Sequence, residues 1–191
     1  VERTGYFPVN AAEYTDGGQL LVCNMTLNAD ETNPFMVYSY NKSEAKWDTL
    51  LSYSGGGRMG DMFSAYGNAA DNSLTVYAGA KSTDKLVQFV TADNGATFTA
   101  NEITLTDMTL GTVPNVAEAN DGTIYVKSYA NPLVQFNTDG TIVDTVSTEY
   151  VATGATKVLY KEVDGRELLF SYIPDIGGGS ELEKVSVVDI T

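Results

Sequence analysis

Along this chain the apolar positions come in short extended runs of β-branched and aromatic residues, broken by polar turns rich in Asp, Asn and Gly. No window of a dozen residues keeps apolar positions at i, i+3, i+4 and i+7, so the pattern predicts strands and almost no helix. Four segments repeat one order of events. Each opens with an extended stretch ending in a turn: Asn10–Gly17, Phe63–Asn72, Asn115–Gly122 and Val158–Gly165. Asp-Gly or Asp-Asn at the turn suits the positive φ angles of a tight hairpin. A second strand follows, as Leu20–Thr26, Leu74–Ala78, Ile124–Tyr129 and Leu168–Tyr172. A third recurs as Phe35–Tyr40, Leu86–Val90, Leu133–Asn137 and Leu182–Val187, with Leu-Val-Gln-Phe shared by the middle two. A fourth is present three times, as Trp47–Leu51, Phe98–Ile103 and Ile142–Val146.

The second strands begin at residues 20, 74, 124 and 168, which are 54, 50 and 44 residues apart. Four strands per unit with a period near fifty predict β-propeller blades. An antiparallel sandwich also has short strands and Gly-rich turns, but its strands need not recur in blocks of one order. The predicted fold is therefore an all-β propeller, a single domain with blades at about 8–54, 61–106, 112–148 and 155–191. The last block has three strands, from which we expect an excerpt of a longer propeller; a four-bladed ring fastened by residues 1–6 is the rival.

The 191 residues are 43% hydrophobic and 19% charged, a globular balance. Eleven Lys and Arg against 25 Asp and Glu leave a formal net charge of −14, so nucleic acid is excluded as a partner. There is no His, which removes Ser-His-Asp and Cys-His activation and imidazole metal sites. The single Cys excludes an intrachain disulfide, and Cys23 on an apolar strand is expected to be a buried small hydrophobe. No apolar run approaches the eighteen or so residues of a transmembrane helix. The low charge and the excess of Tyr, Thr, Asn, Asp and Gly are those of a secreted bacterial β protein.

The hairpin Thr91-Ala92-Asp93-Asn94-Gly95-Ala96-Thr97-Phe98 resembles the Asp-box, Ser/Thr-x-Asp-x-Gly-x-Thr-Trp/Phe, of sialidases and other propellers. Asn137–Ile142 is a degenerate copy, and Trp47 occupies the place of Phe98. The motif implies a propeller fold at its periphery and no activity. A sialidase needs an arginine cluster, and Arg3, Arg58 and Arg166 are all the chain has, with Arg166 in a hairpin away from the others.

Asn33-Pro-Phe-Met-Val-Tyr-Ser-Tyr40 followed by Gly57-Arg-Met-Gly-Asp-Met-Phe-Ser-Ala-Tyr-Gly67 resembles secreted or lipid-anchored propeller-like proteins of gut Bacteroidetes. Those proteins have no established biochemical function. The resemblance implies an extracellular or outer-surface location, lipid anchoring in the full-length protein and glycan handling, and it carries over no catalytic residue.

Candidate ligand-binding residues follow from position. Arg58 and Asp61 lie between the fourth strand of one blade and the first of the next, beside the glycines at 55–57. Arg58 there either donates to a carboxylate or sugar hydroxyl, or pairs with Asp61 to fix the loop. Glu13 and Glu118 hold equivalent first-strand positions that point toward a central channel. Tyr6 and Tyr150, with Phe7 and Tyr53, lie near blade connections and offer stacking platforms to sugar rings. Asn28–Asn33 offers oxygens to Ca²⁺ but lacks the order of a dedicated loop and reads as a solvated turn. The expected function is a non-catalytic binding or scaffold propeller with a glycan or a protein as partner, and with no catalytic residue, metal or cofactor. The alternative is a carbohydrate-active hydrolase or lyase working through carboxylates.

Overall fold

The computed structural model describes residues 9–155, 157–172 and 185–191. The chain is an all-β propeller with four antiparallel sheets, each made of strands consecutive in sequence. The first sheet holds β1 (Val9–Tyr14), β2 (Leu20–Asn24), β3 (Phe35–Asn41) and β4 (Lys46–Tyr53). The second holds β5 (Ser64–Tyr66), β6 (Thr75–Gly79), β7 (Lys85–Val90) and β8 (Thr99–Thr104). The third holds β9 (Asn115–Glu118), β10 (Ile124–Lys127), β11 (Leu133–Phe136) and β12 (Ile142–Val146). Among the described residues the fourth has three strands, β13 (Lys157–Val163), β14 (Arg166–Tyr172) and β15 (Val185–Asp189).

Three apolar clusters hold the sheets face to face. Leu21, Phe35, Val37 and Leu51 of the first sheet meet Phe63, Val76, Val87 and Phe89 of the second. Tyr77, Leu86 and Ile103 on the other side of the second sheet meet Val116, Ile124, Val134 and Phe136 of the third. Ala117, Tyr125 and Leu133 of the third meet Val158 and Leu169 of the fourth. Strand alternation makes this possible: one sheet presents apolar residues on both faces, at odd positions to one neighbour and even positions to the other. Burying a side chain such as Phe136 contributes about 2–3 kcal/mol by area, so these clusters carry most of the stability.

The innermost strands are tied by polar side chains as well. Ser64 Oγ accepts from the Val116 amide at 2.9 Å and from Asn115 Nδ2 at 2.6 Å, and Asn115 Oδ1 accepts from the Val158 amide at 2.8 Å. One buried chain of hydrogen bonds thus links the second, third and fourth sheets near the axis. The first and fourth sheets meet through the Lys157–Glu13 ion pair.

One expected element is shorter than the pattern indicates. Of the extended stretch expected at 63–72, only Ser64–Tyr66 is strand. Asn68 then accepts from the Ala70 amide and caps a 3₁₀ turn over Ala69–Asp71, which Asn72 ends in the left-handed region at φ 64°. Asparagine favours both positions, since its short amide competes for local backbone partners. Residues 1–6, which the rival reading would use to fasten a four-bladed ring, and the start of the expected third strand at 182–184 lie outside the described residues.

Candidate functional site

A cavity of about 640 Å³ lies where the innermost strands of all four sheets converge. Its walls come from β1 and its turn (Glu13–Asp16), β5 (Ser64–Tyr66), the end of β9 (Glu118–Asn120) and β13 (Lys157 and Leu159–Glu162). These strands are short and face one another across the axis, so the alternate side chains that do not pack against a neighbouring sheet point into the space between them. The lining includes four carboxylates (Glu13, Asp16, Glu118, Glu162), two ammonium groups (Lys157, Lys161) and the rings of Tyr14, Tyr66 and Tyr160.

Glu13 is held by Lys157 across the junction of the first and fourth sheets. Glu118 accepts from the Tyr77 hydroxyl at 2.7 Å, and that hydroxyl accepts from Gln88 Nε2 at 2.8 Å. Burial raises the Glu118 carboxyl above its ordinary range, and the Tyr77 hydrogen bond and the Asp16 charge act less strongly in opposite senses. The Tyr66 hydroxyl donates to the Val116 carbonyl. Asn120 Nδ2 donates to Glu162 Oε2 at 2.7 Å, and the Tyr160 hydroxyl donates to Glu167 at 2.8 Å. The result is a wall rich in acceptors, with its aromatic rings and acid groups set by contacts to neighbouring strands.

Arg58 and Asp61 are brought together elsewhere. Arg58 Nε donates to Asp61 Oδ1 at 3.0 Å, and its Nη2 meets the same oxygen. The backbone of this connection bridges to both neighbouring loops, Met59 to Thr26 and Arg58 to Lys81. Gly60, at φ +84°, lies so close to the Asn24 carbonyl that a Cβ would stand 1.9 Å from its oxygen. The Asp61 side chain is only 8% exposed, and among the described residues its Oδ2 has no hydrogen-bond partner. Neither residue lines the central cavity. Of the other candidates, Tyr150 is exposed in the connection from β12 to β13, and Tyr6 lies outside the described residues. Tyr53 donates to Glu102 Oε1 and packs edge-on against Phe89, 5.3 Å between ring centroids. In the turn Asn28–Asn33, Asp30 Oδ1 accepts from the amides of Thr32 and Asn33, which shapes the loop locally.

Of the residues lining the cavity, Tyr14, Asp16, Tyr66, Asn120, Lys157, Tyr160, Lys161 and Glu162 were not among the candidate binding residues read from the sequence. Lys161 had a signal: it stands three residues before Asp164-Gly165, as Glu13 does before Asp16-Gly17 and Glu118 before Asp121-Gly122. Lys127 was also missed: it is fully buried at the end of β10, and its Nζ donates to the carbonyls of Ser128 at 2.7 Å and Thr153 at 2.8 Å. Desolvation lowers its pKa to about 8.

No family model matches the sequence, and no curated protein matches it. Solved structures do. A DUF4623 family protein from Bacteroides eggerthii superposes with a TM-score of 0.69 at 13% identity, over 94% of this chain and 41% of its own. Regucalcin, a calcium-binding protein from Agrobacterium tumefaciens, gives 0.58 at 13% identity, over 89% and 54%. A GH43 endo-arabinanase from Bacillus licheniformis gives 0.52 at 9% identity, over 96% and 71%. The chain thus spans about half, or less, of the length of the first two. At these identities the likeness establishes the β-propeller fold, and a Bacteroides neighbour among them is consistent with the resemblance carried by residues 33–67.

Proposed function

We propose that the chain is a non-catalytic binding propeller of the bacterial cell surface or exterior, and that the central cavity takes a neutral glycan. The observation that carries this reading is the composition of the cavity wall. Four carboxylates and the Asn120 amide offer acceptors to sugar hydroxyls, and Tyr14, Tyr66 and Tyr160 offer ring faces, in a space of about 640 Å³. An acceptor-rich, net acidic wall disfavours polyanions and suits ligands that bring many O–H donors. Glycan-handling folds among the structural neighbours agree with this reading at the level of fold.

The test is calorimetric titration with soluble arabinan, xylan, galactan and polygalacturonate, with product analysis of each mixture. Binding of a neutral polymer, weakened at least tenfold in an Asn120→Ala, Glu162→Ala double variant, is the expected result. Released sugars would mean an enzyme. Binding that survives this variant and is lost in Arg58→Ala would move the ligand to the connection between the first two sheets. Absence of binding to every polymer would leave a protein scaffold as the better reading.

A further inference from the structure

An aromatic row on the first sheet begins at the central cavity. Tyr14, which lines the cavity, pairs with Leu20 across β1 and β2. The register of β2 on β3, Leu21 with Ser39 and Val22 with Tyr38, sets Leu20 opposite Tyr40, and Tyr40 pairs with Trp47 of β4. Directly opposed residues share a face of an antiparallel sheet. Tyr14, Leu20, Tyr40 and Trp47 therefore form one row across all four strands, about 14 Å long at the usual strand spacing. Leu21 and Val37, at alternate positions, pack against the second sheet, so the row lies on the face turned away from it. It runs beside the turns at 15–19 and 42–45, at the end of the sheet where Asp16 joins the cavity wall. Tyr14 is 72% exposed and Tyr40 37%, with Leu20 and Trp47 half-buried. The Tyr40 and Trp47 rings lie 5.1 Å apart between centroids, inclined by 55°. Val22 and Tyr38, the next row along the strands, are buried, so the open apolar strip is one side chain wide.

We propose that this row is a second binding surface for the glycan, holding the part of the chain that extends out of the cavity, and that the ligand is an extended, unbranched neutral polysaccharide. The proposal rests on the reading of the cavity as a glycan site, and Tyr14, which belongs to both surfaces, joins them. The C–H face of a sugar ring packs against the negative face of an aromatic ring, and a row without charge offers a uronate nothing. A protein partner would need about 800 Å² on each side, which a strip one side chain wide does not supply. A polysaccharide is itself one ring wide.

Calorimetric titration of the 191-residue chain with the linear hexasaccharides and the disaccharides of arabinan, xylan and galactan tests this, together with the emission of Trp47, the single tryptophan. The expected result is a hexasaccharide that binds at least tenfold tighter than its own disaccharide and alters Trp47 emission, which the disaccharide leaves unchanged. Tyr40→Ala and, separately, Trp47→Ala should lower the hexasaccharide to the affinity of the disaccharide while disaccharide binding stays as in wild type. Far-UV circular dichroism identical to wild type shows that each variant has kept its fold. A hexasaccharide that binds both folded variants as it binds wild type would overturn the row and leave the cavity reading standing, as would a hexasaccharide no tighter than its disaccharide. Absence of binding at either length would overturn the cavity reading and the row with it.

Discussion

Lys127 offers the sharpest test of the energetic argument. Its side chain is fully buried, and its two hydrogen-bond partners are carbonyls, with no carboxylate among its described contacts. A charged amine so placed loses hydration without gaining a counter-ion, and its pKa falls from 10.5 to about 8. The native state therefore releases the proton before the unfolded chain does. Between pH 8 and pH 10.5 the unfolded chain binds more protons, so stability from this group rises with pH. At about 1.4 kcal/mol per pH unit, the contribution grows by about 2 kcal/mol between pH 7 and pH 10. Other groups titrate in that interval, so the informative quantity is the difference between wild type and Lys127→Met. Urea unfolding followed by Trp47 fluorescence at pH 7 and pH 10 supplies it. Wild type should gain about 2 kcal/mol on the variant over the interval, whichever of the two is more stable at pH 7. Parallel pH profiles would refute the assignment of a buried, unpaired amine.

Glu118 should show the opposite sense. Its raised pKa means that the unfolded chain ionises first, so its contribution to stability is present at acid pH and lost as pH rises toward the native value. Glu118→Gln should therefore be more stable than wild type at neutral pH and gain little below about pH 4, as read by the same unfolding assay. Arg58→Ala should cost about 2 kcal/mol by leaving the Asp61 carboxylate buried without its partner. Adding Asp61→Ala should recover most of that loss, which a double-mutant cycle measures. Cys23 is fully buried with its thiol pushed up to about 12. Ellman's reagent should leave it unmodified in native protein at pH 8 and label one equivalent once urea unfolds the chain.

The fold was legible because its strand signal is local. Period-two alternation and the Asp-Gly turns specify strand, turn and partner within each sheet, and antiparallel pairing of consecutive strands needs little more. The site was legible only in part. Glu13 and Glu118 line the cavity because inner-strand residues converge wherever sheets surround an axis, whatever their sequence. Arg58 and Asp61 were singled out because they sit in the connection leading into an inner strand, whereas Asp16, Asn120 and Glu162, which line the cavity, sit at the far ends of such strands. Those two sets lie at opposite ends of the inner strands, and composition does not say which end holds the cavity. Lys127 was illegible for a different reason. A lysine within a strand reads as solvent-facing, and its burial depends on the Thr153 carbonyl, 26 residues away along the chain.

The division of labour between faces and axis has a consequence for binding. Stability resides in the three apolar clusters, in which Phe35, Phe89 and Phe136 are essentially inaccessible to solvent. The inner-strand residues that face the axis are free of that duty, and even the polar relay from Ser64 through Asn115 to Val158 uses positions other than the acidic ones. Glu162 and Lys161 can therefore change with small cost to the fold, as substitutions outside cores and buried networks generally do. Glu13 and Glu118 are the exceptions, because Lys157 ties Glu13 to the fourth sheet and Tyr77 joins Glu118 to the interface of the second and third sheets. A ligand that engages Glu118 would act on that interface through the Tyr77–Gln88 hydrogen bonds, whereas one that engages Glu162 would meet only Asn120. Ligand-induced stabilisation should thus be larger for ligands whose binding Glu118→Gln impairs than for those sensitive only to Glu162→Ala, a difference that thermal unfolding with each polymer present would resolve.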